Sequence, residues 1–167
     1  MNHAPILSVV GASGSGKTTF LTRLIPELSA RGYRVAVIKH HPHTGLETDT
    51  PGKDTWKLAR TEAIHVTLAA PDQLVHHRRL DHERSPEEIA TEIQGVDLVL
   101  TEGYKEERLP KIEINRRAHR PTLVSPPADL VAVVSDQRFD VDVPQFNLED
   151  VGGVADLIES YVAAQCP

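Results

Sequence analysis

The sequence has almost no cysteine and no long apolar run. Cys166 is its only cysteine, which excludes a disulfide within one chain and a metal site built from cysteines. No apolar run approaches the ~20 residues that a membrane-spanning helix needs. The N-terminus leads from a short apolar run into glycines, without the basic segment of a signal peptide. We therefore expect a cytoplasmic protein with no membrane partner.

Basic residues are also in the minority. The chain has 18 Lys and Arg against 24 Asp and Glu, a formal net charge of −6. Nucleic acid is therefore excluded as the main partner, because such binding needs a basic face. The length of 167 residues suits one globular domain, and we assign residues 1–167 to a single domain.

Apolar periodicity predicts strands that alternate with helices. Strands are expected at 5–10, 33–39, 64–69, 96–101, 111–115 and 130–134, and helices at 18–31, 54–61, 86–93 and 150–164. The strand 111–115 alternates charged and apolar residues, which predicts half exposure, and 73–80 is a candidate for an exposed extra strand or hairpin. Pro26 is expected to kink or split the first helix. The alternation predicts an α/β fold with a mostly parallel sheet between helices.

The segment between the first strand and the first helix matches the Walker A pattern, which indicates a P-loop NTPase fold. The loop's backbone N–H groups and the positive end of the helix attract phosphates. Lys17 can reach the β- and γ-phosphates as a catalytic residue, and the Thr18 hydroxyl can coordinate Mg²⁺. The alternative is a glycine-rich turn that precedes a helix by chance. The predicted nucleotide-binding residues here are Gly11, Ala12, Ser13, Gly14, Ser15, Gly16, Lys17, Thr18 and Thr19.

A magnesium site also needs an acidic residue at the end of a neighbouring strand. Asp97 and Glu102 stand at opposite ends of one predicted strand. Ligands of open α/β sheets bind beyond the carboxyl ends of the strands. This predicts Glu102 as the second metal ligand, with a solvated loop carboxylate as the alternative, and places Asp97 at the far edge.

The loop after the second strand carries two further candidates. Asp54 is a candidate catalytic residue that accepts a bond from the attacking water or binds magnesium through water. It could equally cap the helix that follows, and both roles could hold. His40, His41 and His43 form a cluster of the kind that attracts transition metals. Adjacent histidines in an extended loop point in opposing directions, so we favour polar loop residues over a metal site.

Several segments together resemble the family of molybdopterin-guanine dinucleotide biosynthesis adapter protein B (MobB). The resemblance covers nearly the whole chain, and its most specific parts are Pro51-Gly-Lys-Asp54 and Glu102-Gly-Tyr-Lys105. The other matching segments are Gly11–Thr19, Ile38-Lys-His-His41, Leu98-Val-Leu-Thr101, Pro110-Lys-Ile112, Val134-Ser-Asp136 and Asn147-Leu-Glu-Asp-Val151.

The resemblance implies a GTP-binding adapter with Mg²⁺, weak GTP hydrolysis and a homodimeric state. It further implies a molybdopterin guanylyltransferase as partner, with molybdopterin-bound proteins as additional candidates. The sequence lacks the Asn-Lys-x-Asp motif that reads guanine in ordinary GTPases. Asp136, just past a late strand, is the predicted substitute, since a carboxylate accepts from guanine N1–H and the 2-amino group. An ordinary turn aspartate is the alternative.

Three rival functions use the same loop. A small-molecule kinase would need a lid of arginines, which Arg116, Arg117 and Arg120 could supply, although the first two directly follow a strand and could simply be exposed. A metallochaperone GTPase would use the histidines. A purely structural adapter would bind nucleotide without turning it over.

Overall fold

A computed structural model describes residues 3–165, which form two compact units. One unit runs up to His40 and resumes at Ser85, and the other comprises His41–Arg84. Cys166 lies outside the described residues. Within residues 3–165, no helix combines the length and the apolar character needed to cross a membrane.

Eight strands and four α-helices follow one another along the described chain. In order they are β1 (Ile6–Val10), α1 (Lys17–Ala30), β2 (Val35–Lys39), α2 (Asp54–Leu58), β3 (His65–Ala69), β4 (Leu74–Arg78), α3 (Pro86–Ala90), β5 (Leu98–Glu102), β6 (Lys111–Asn115), a 3-10 turn (Pro127–Asp129), β7 (Leu130–Ser135), β8 (Gln145–Phe146) and α4 (Val151–Gln165). The strands and helices predicted from periodicity are all present. The short strand β8 is not predicted by the sequence pattern.

The first unit contains a six-stranded sheet in the order β2-β5-β1-β6-β7-β8, with every neighbouring pair parallel. Successive residues of β1 face opposite sides of this sheet. Leu7 and Val9 join a buried cluster with α1 and α4, whereas Ile6 joins a second cluster with Ala90 of α3. Helices therefore cover both faces, which confirms the predicted α/β fold with a parallel sheet between helices.

Helix α1 runs unbroken through Pro26, so this proline does not split the helix. Four apolar side chains on one face bury the helix against the sheet, and Pro26 lies on the exposed side. Such burial stabilises the helix by about 1.5–3 kcal/mol per large side chain, comparable to the ~3 kcal/mol cost of an interior proline. The helix ends with two closing bonds, in which Gly32 N donates to Ser29 O and Tyr33 N to Leu28 O.

The prediction of a half-exposed β6 is wrong. All five residues of the strand are buried, because it lies between β1 and β7 in the middle of the sheet. Its charged side chains are compensated individually: Lys111 Nζ donates to Asp129 at 2.7 Å, and the Glu113 carboxylate accepts from the backbone N–H groups of Val124 and Ser125. Charged residues at alternate positions therefore look like the exposed side of a strand in the sequence, although here each charge is buried and paired.

The second unit contains the antiparallel hairpin β3–β4 and the short helix α2. Leu68 faces Val75 and Ala69 faces Leu74 across the hairpin, and most of its side chains are exposed. This hairpin confirms the expected exposed extra strand.

Candidate nucleotide-binding site

The loop between β1 and α1 carries the Walker A residues and lies close to β6. A Cβ atom at Gly11 would lie 2.2 Å from the Ile114 carbonyl oxygen, and the Gly11 φ of 145° is one that L side chains rarely adopt. Only glycine fits this position. The close approach explains the first glycine of the pattern, because it holds the loop against the carboxyl end of β6.

Helix α1 begins directly after this loop. Its first intrahelical bond runs from Phe20 N to Gly16 O, so the N–H groups of the preceding turn have no carbonyl of the same helix to bond. That turn reads Lys17-Thr18-Thr19, without the acidic residue that often neutralises a helix N-terminus. The start of α1 therefore has the geometry and charge that attract a phosphate group.

Lys17 reaches back over the loop. Its Nζ donates to the carbonyl oxygens of Gly11 at 3.1 Å and Ala12 at 2.9 Å. Partial burial lowers its pKa, while the negative charge of Glu102 acts in the opposite direction and Lys39 adds to the lowering. The ammonium group is thus held at the loop beside a carboxylate.

The two predicted magnesium ligands are in direct contact. Thr18 Oγ1 donates a hydrogen bond of 2.7 Å to Glu102 Oε1, and Lys39 Nζ lies 3.4 Å from the same oxygen. A hydroxyl and a carboxylate are the hard oxygen ligands that Mg²⁺ prefers. The donor set therefore fits magnesium, with Thr18 and Glu102 as the residues that would hold it.

Asp97 lies at the other end of β5, as predicted. Its carboxylate accepts from the backbone N–H and the guanidinium of Arg34, which lowers the pKa of Asp97 to about 2. This contact ties the start of β5 to the start of β2. Asp97 is therefore a structural residue at the sheet edge opposite the loop.

These positions predict a difference between two isosteric substitutions. Glu102→Gln should weaken Mg²⁺-dependent triphosphate binding by about tenfold or more, because one charged ligand is lost while the bond from Thr18 can persist. Asp97→Asn should leave that binding unchanged. Titration of GTP with and without Mg²⁺ into each variant measures the difference, and equal behaviour of the two would show that Glu102 is not the metal ligand.

The turn after Glu102 has an unusual backbone. Gly103 has φ +105° and Tyr104 has φ +54°, which is uncommon for a residue with a side chain. A Cβ atom at Gly103 would lie 3.0 Å from His40 Cβ, and the Tyr104 and His40 rings are in contact, with centroids 4.5 Å apart and planes tilted by 31°. The tight turn explains the Glu-Gly-Tyr segment, since it fixes the chain directly after the candidate metal ligand.

The loop after β6 packs against the Walker A loop, a contact that the sequence does not indicate. Arg116 Nε donates to Ser15 O at 3.2 Å, and a Cβ atom at Gly14 would lie 2.9 Å from the His119 ring. Arg116 is half-buried, so the expectation that it could simply be exposed is wrong. Its bond to Ser15 gives it a fixed position beside the phosphate loop.

Asp136 lies just past β7, on the same sheet edge as the Walker A loop. Its Oδ1 accepts from Arg117 N at 2.8 Å, which links it to the loop after β6. A small groove runs between the ends of β7 and β8 beside this carboxylate. Next to it, Asn115 Oδ1 accepts from Gln137 Nε2 at 2.9 Å, which joins the end of β6 to the segment after β7.

The second unit holds the remaining candidates. Asp54 is the first residue of α2 and Lys53 is its N-cap, so the prediction that Asp54 caps this helix is wrong. The Asp54 side chain is 96% exposed, and its Oδ1 lies 3.6 Å from Lys57 Nζ. The rings of His41 and His43 are 5.7 Å apart, and within residues 3–165 no group of three His, Cys, Asp or Glu side chains is arranged to hold a metal ion.

The parallel sheet, the loop after β1 and the helix that follows define the class of this protein, an α/β protein of the P-loop NTPase type. A family model described as molybdopterin guanine dinucleotide synthesis protein B (MobB) matches residues 6–136. The chain belongs to the MobB family.

Known proteins similar to this chain bear the same family name. The molybdopterin-guanine dinucleotide biosynthesis adapter protein of Haemophilus influenzae is 34% identical, over 96% of this chain and 91% of the relative. The Escherichia coli protein of that name is also 34% identical, over 96% of this chain and 95% of the relative. A crystal structure of molybdopterin-guanine biosynthesis protein B covers 93% of this chain and 99% of its own, with a TM-score of 0.75 and 33% identity.

Proposed function

We propose that this chain is a GTP-binding adapter in molybdenum cofactor biosynthesis, acting in the cytoplasm beside a guanylyltransferase that attaches GMP to molybdopterin. The adapter role is supported by the names of the two relatives, because this chain matches 91% and 95% of their respective lengths. The observation that best supports a nucleotide site is the hydrogen bond from Thr18 to Glu102, which joins the two candidate magnesium ligands. Lys17 of the same helix turn folds back onto the loop.

In this proposal the triphosphate lies along the loop and the start of α1. Lys17 exchanges its bonds to the Gly11 and Ala12 carbonyls for bonds to the β- and γ-phosphates. Magnesium, when bound, neutralises phosphate charge. Hydrolysis is weak, and Asp54 stays a prediction as the group that positions the attacking water.

Guanine is proposed to lie in the groove beside Asp136. The bond from Arg117 N to Oδ1 holds the carboxylate at the sheet edge, and both oxygens keep lone pairs that can accept from the base. The strand order supports this position. In the sheet, β6 lies next to β1, which leads into the phosphate loop, and β7 lies next to β6, so the carboxyl ends of all three strands lie at one edge.

A homodimer is proposed because the surface of the second unit carries exposed apolar side chains. All but one of the large apolar side chains exposed among residues 3–165 lie there: Leu46, Leu58, Ile64, Leu68, Leu74, Val75 and Leu80. A two-stranded hairpin is marginal alone, and an apolar surface of this kind marks an interaction site. A second copy of this chain is the proposed partner at this surface.

The proposal is tested by capture of the guanylyltransferase on the immobilised chain, with GTP–Mg²⁺, GDP–Mg²⁺ or no nucleotide. We expect GTP to change the captured amount for the wild type and not for Lys17→Ala. Product analysis in the same mixtures should give free phosphate. A phosphorylated small metabolite would instead identify a kinase, and failure to capture the enzyme under every condition would contradict the adapter role.

A further inference from the structure

The second unit contains a cavity of its own, lined by residues of α2, of the loop before it and of both hairpin strands. Its volume is about 560 Å³, within the range of pockets that bind small molecules. Every lining residue lies between Gly45 and Arg79, so this unit forms the cavity by itself. None of the Walker A residues contributes to it.

Two buried polar atoms in the cavity wall have no hydrogen-bond partner among the described residues. Trp56 Nε1 is a donor, and Asp49 Oδ2 is an acceptor. The other oxygen of the same carboxylate, Oδ1, accepts from Thr50 N at 2.7 Å, which fixes its orientation. Buried polar groups are nearly always paired in folded proteins, so an unpaired donor and an unpaired acceptor in one cavity indicate a ligand that offers both complements.

Part of the wall is basic. It is lined by His76, His77, Arg78 and Arg79. His76 Nδ1 contacts Thr67 Oγ1 at 3.0 Å and Arg79 donates to Ala59 O at 3.4 Å, so these side chains are held in place within the unit. The Arg60 guanidinium stacks 3.7 Å from the Trp56 ring centroid and pairs with Glu47. This contact also restrains the Trp56 indole, which lines the cavity and carries the unpaired N–H. Histidine and arginine side chains bind anionic groups such as phosphate.

We propose that this cavity binds a small phosphorylated heterocycle whose edge carries adjacent N–H donors and a carbonyl, the edge that guanine and pterins share. The N–H groups pair with Asp49, the carbonyl accepts from Trp56, and the phosphate lies against the basic wall. This site is separate from the Walker A loop and does not depend on the proposed nucleotide function.

Trp56 is the only tryptophan of the chain, so its fluorescence reports on this cavity alone. The experiment titrates GMP, neopterin monophosphate and inorganic phosphate into the Lys17→Ala variant, which disables the Walker A site. We expect saturable quenching by GMP, by neopterin monophosphate or by both, and the stronger of the two identifies the heterocycle. Phosphate alone should bind at least tenfold more weakly.

Asp49→Asn in the same background should weaken binding of the stronger ligand by about tenfold or more, because a charged acceptor is lost. Asp72→Asn, an exposed aspartate of the same unit outside the cavity, is the matched control and should bind like its parent. Trp56→Phe keeps a ring beneath Arg60 and removes the N–H, and calorimetry should show a severalfold loss.

Three outcomes would overturn the proposal. The first is the absence of saturable quenching by either heterocycle. The second is phosphate binding as tightly as both, which would leave a simple anion site. The third is equal binding by the Asp49→Asn and Asp72→Asn variants, with thermal melts showing that both are folded.

Discussion

Lys17→Ala is expected to abolish detectable GTP binding while the fold stays intact. The Lys17 ammonium group is held over the Walker A loop by the Gly11 and Ala12 carbonyls. A charge-assisted hydrogen bond is worth about 1.5–3 kcal/mol, so each lost phosphate contact weakens binding about tenfold or more. Calorimetric titration of GTP–Mg²⁺ measures the loss.

Arg34→Ala is the matched control for this variant. It also removes one positive charge, but Arg34 pairs with Asp97 at the opposite edge of the sheet. The control should bind GTP like the wild type. Wild-type affinity in Lys17→Ala itself would contradict the phosphate site, provided that its circular dichroism and thermal melt match those of the parent.

Asp136→Asn is expected to lower GTP affinity and to shift base preference toward xanthosine triphosphate. A carboxylate accepts two bonds from guanine, whereas an amide donor suits the 2-oxo group of xanthine. The asparagine carbonyl can still accept from Arg117 N, so the loop that Asp136 holds should keep its place. Asp136 is exposed in the structure, so a base that covers its carboxylate removes it from water, and a base that leaves it unpaired binds less well.

The base preference is measured by competition among GTP, ATP and XTP on wild type and variant. Asp140→Asn is the control, since Asp140 is an exposed aspartate four residues further on and does not line the groove beside Asp136. The control should keep the wild-type order of affinities. An unchanged order in Asp136→Asn would assign the guanine contact to another residue.

The parts of the fold that local pattern determines could be predicted from the sequence. Alternating strands and helices, the Walker A loop and the position of Glu102 at a strand end follow from short segments. The burial of β6 could not, because Lys111 and Glu113 look solvated until their partners from distant segments are known. The alternative that Asp54 caps α2 lies one residue past the observed cap, Lys53, which is within the usual precision of a helix boundary.

The contacts around the candidate site depend on tertiary structure in the same way. Arg116 meets Ser15 although about a hundred residues separate them, and nothing local distinguishes it from Arg117. The turn at Gly103 and Tyr104 had a signal, the specific Glu-Gly-Tyr-Lys segment, but its strained backbone became visible only in three dimensions. Strand β8, two residues long, is too short for periodicity to indicate.

Competition between GTP–Mg²⁺ and ATP–Mg²⁺ for the wild-type protein, with a fluorescent GTP analogue as the displaced ligand, tests whether the site is specific for guanine. We expect GTP to displace the analogue at a concentration at least tenfold lower than ATP does. Displacement by the two nucleotides at equal concentrations would contradict a guanine-specific site, and with it the proposal of a GTP-binding adapter.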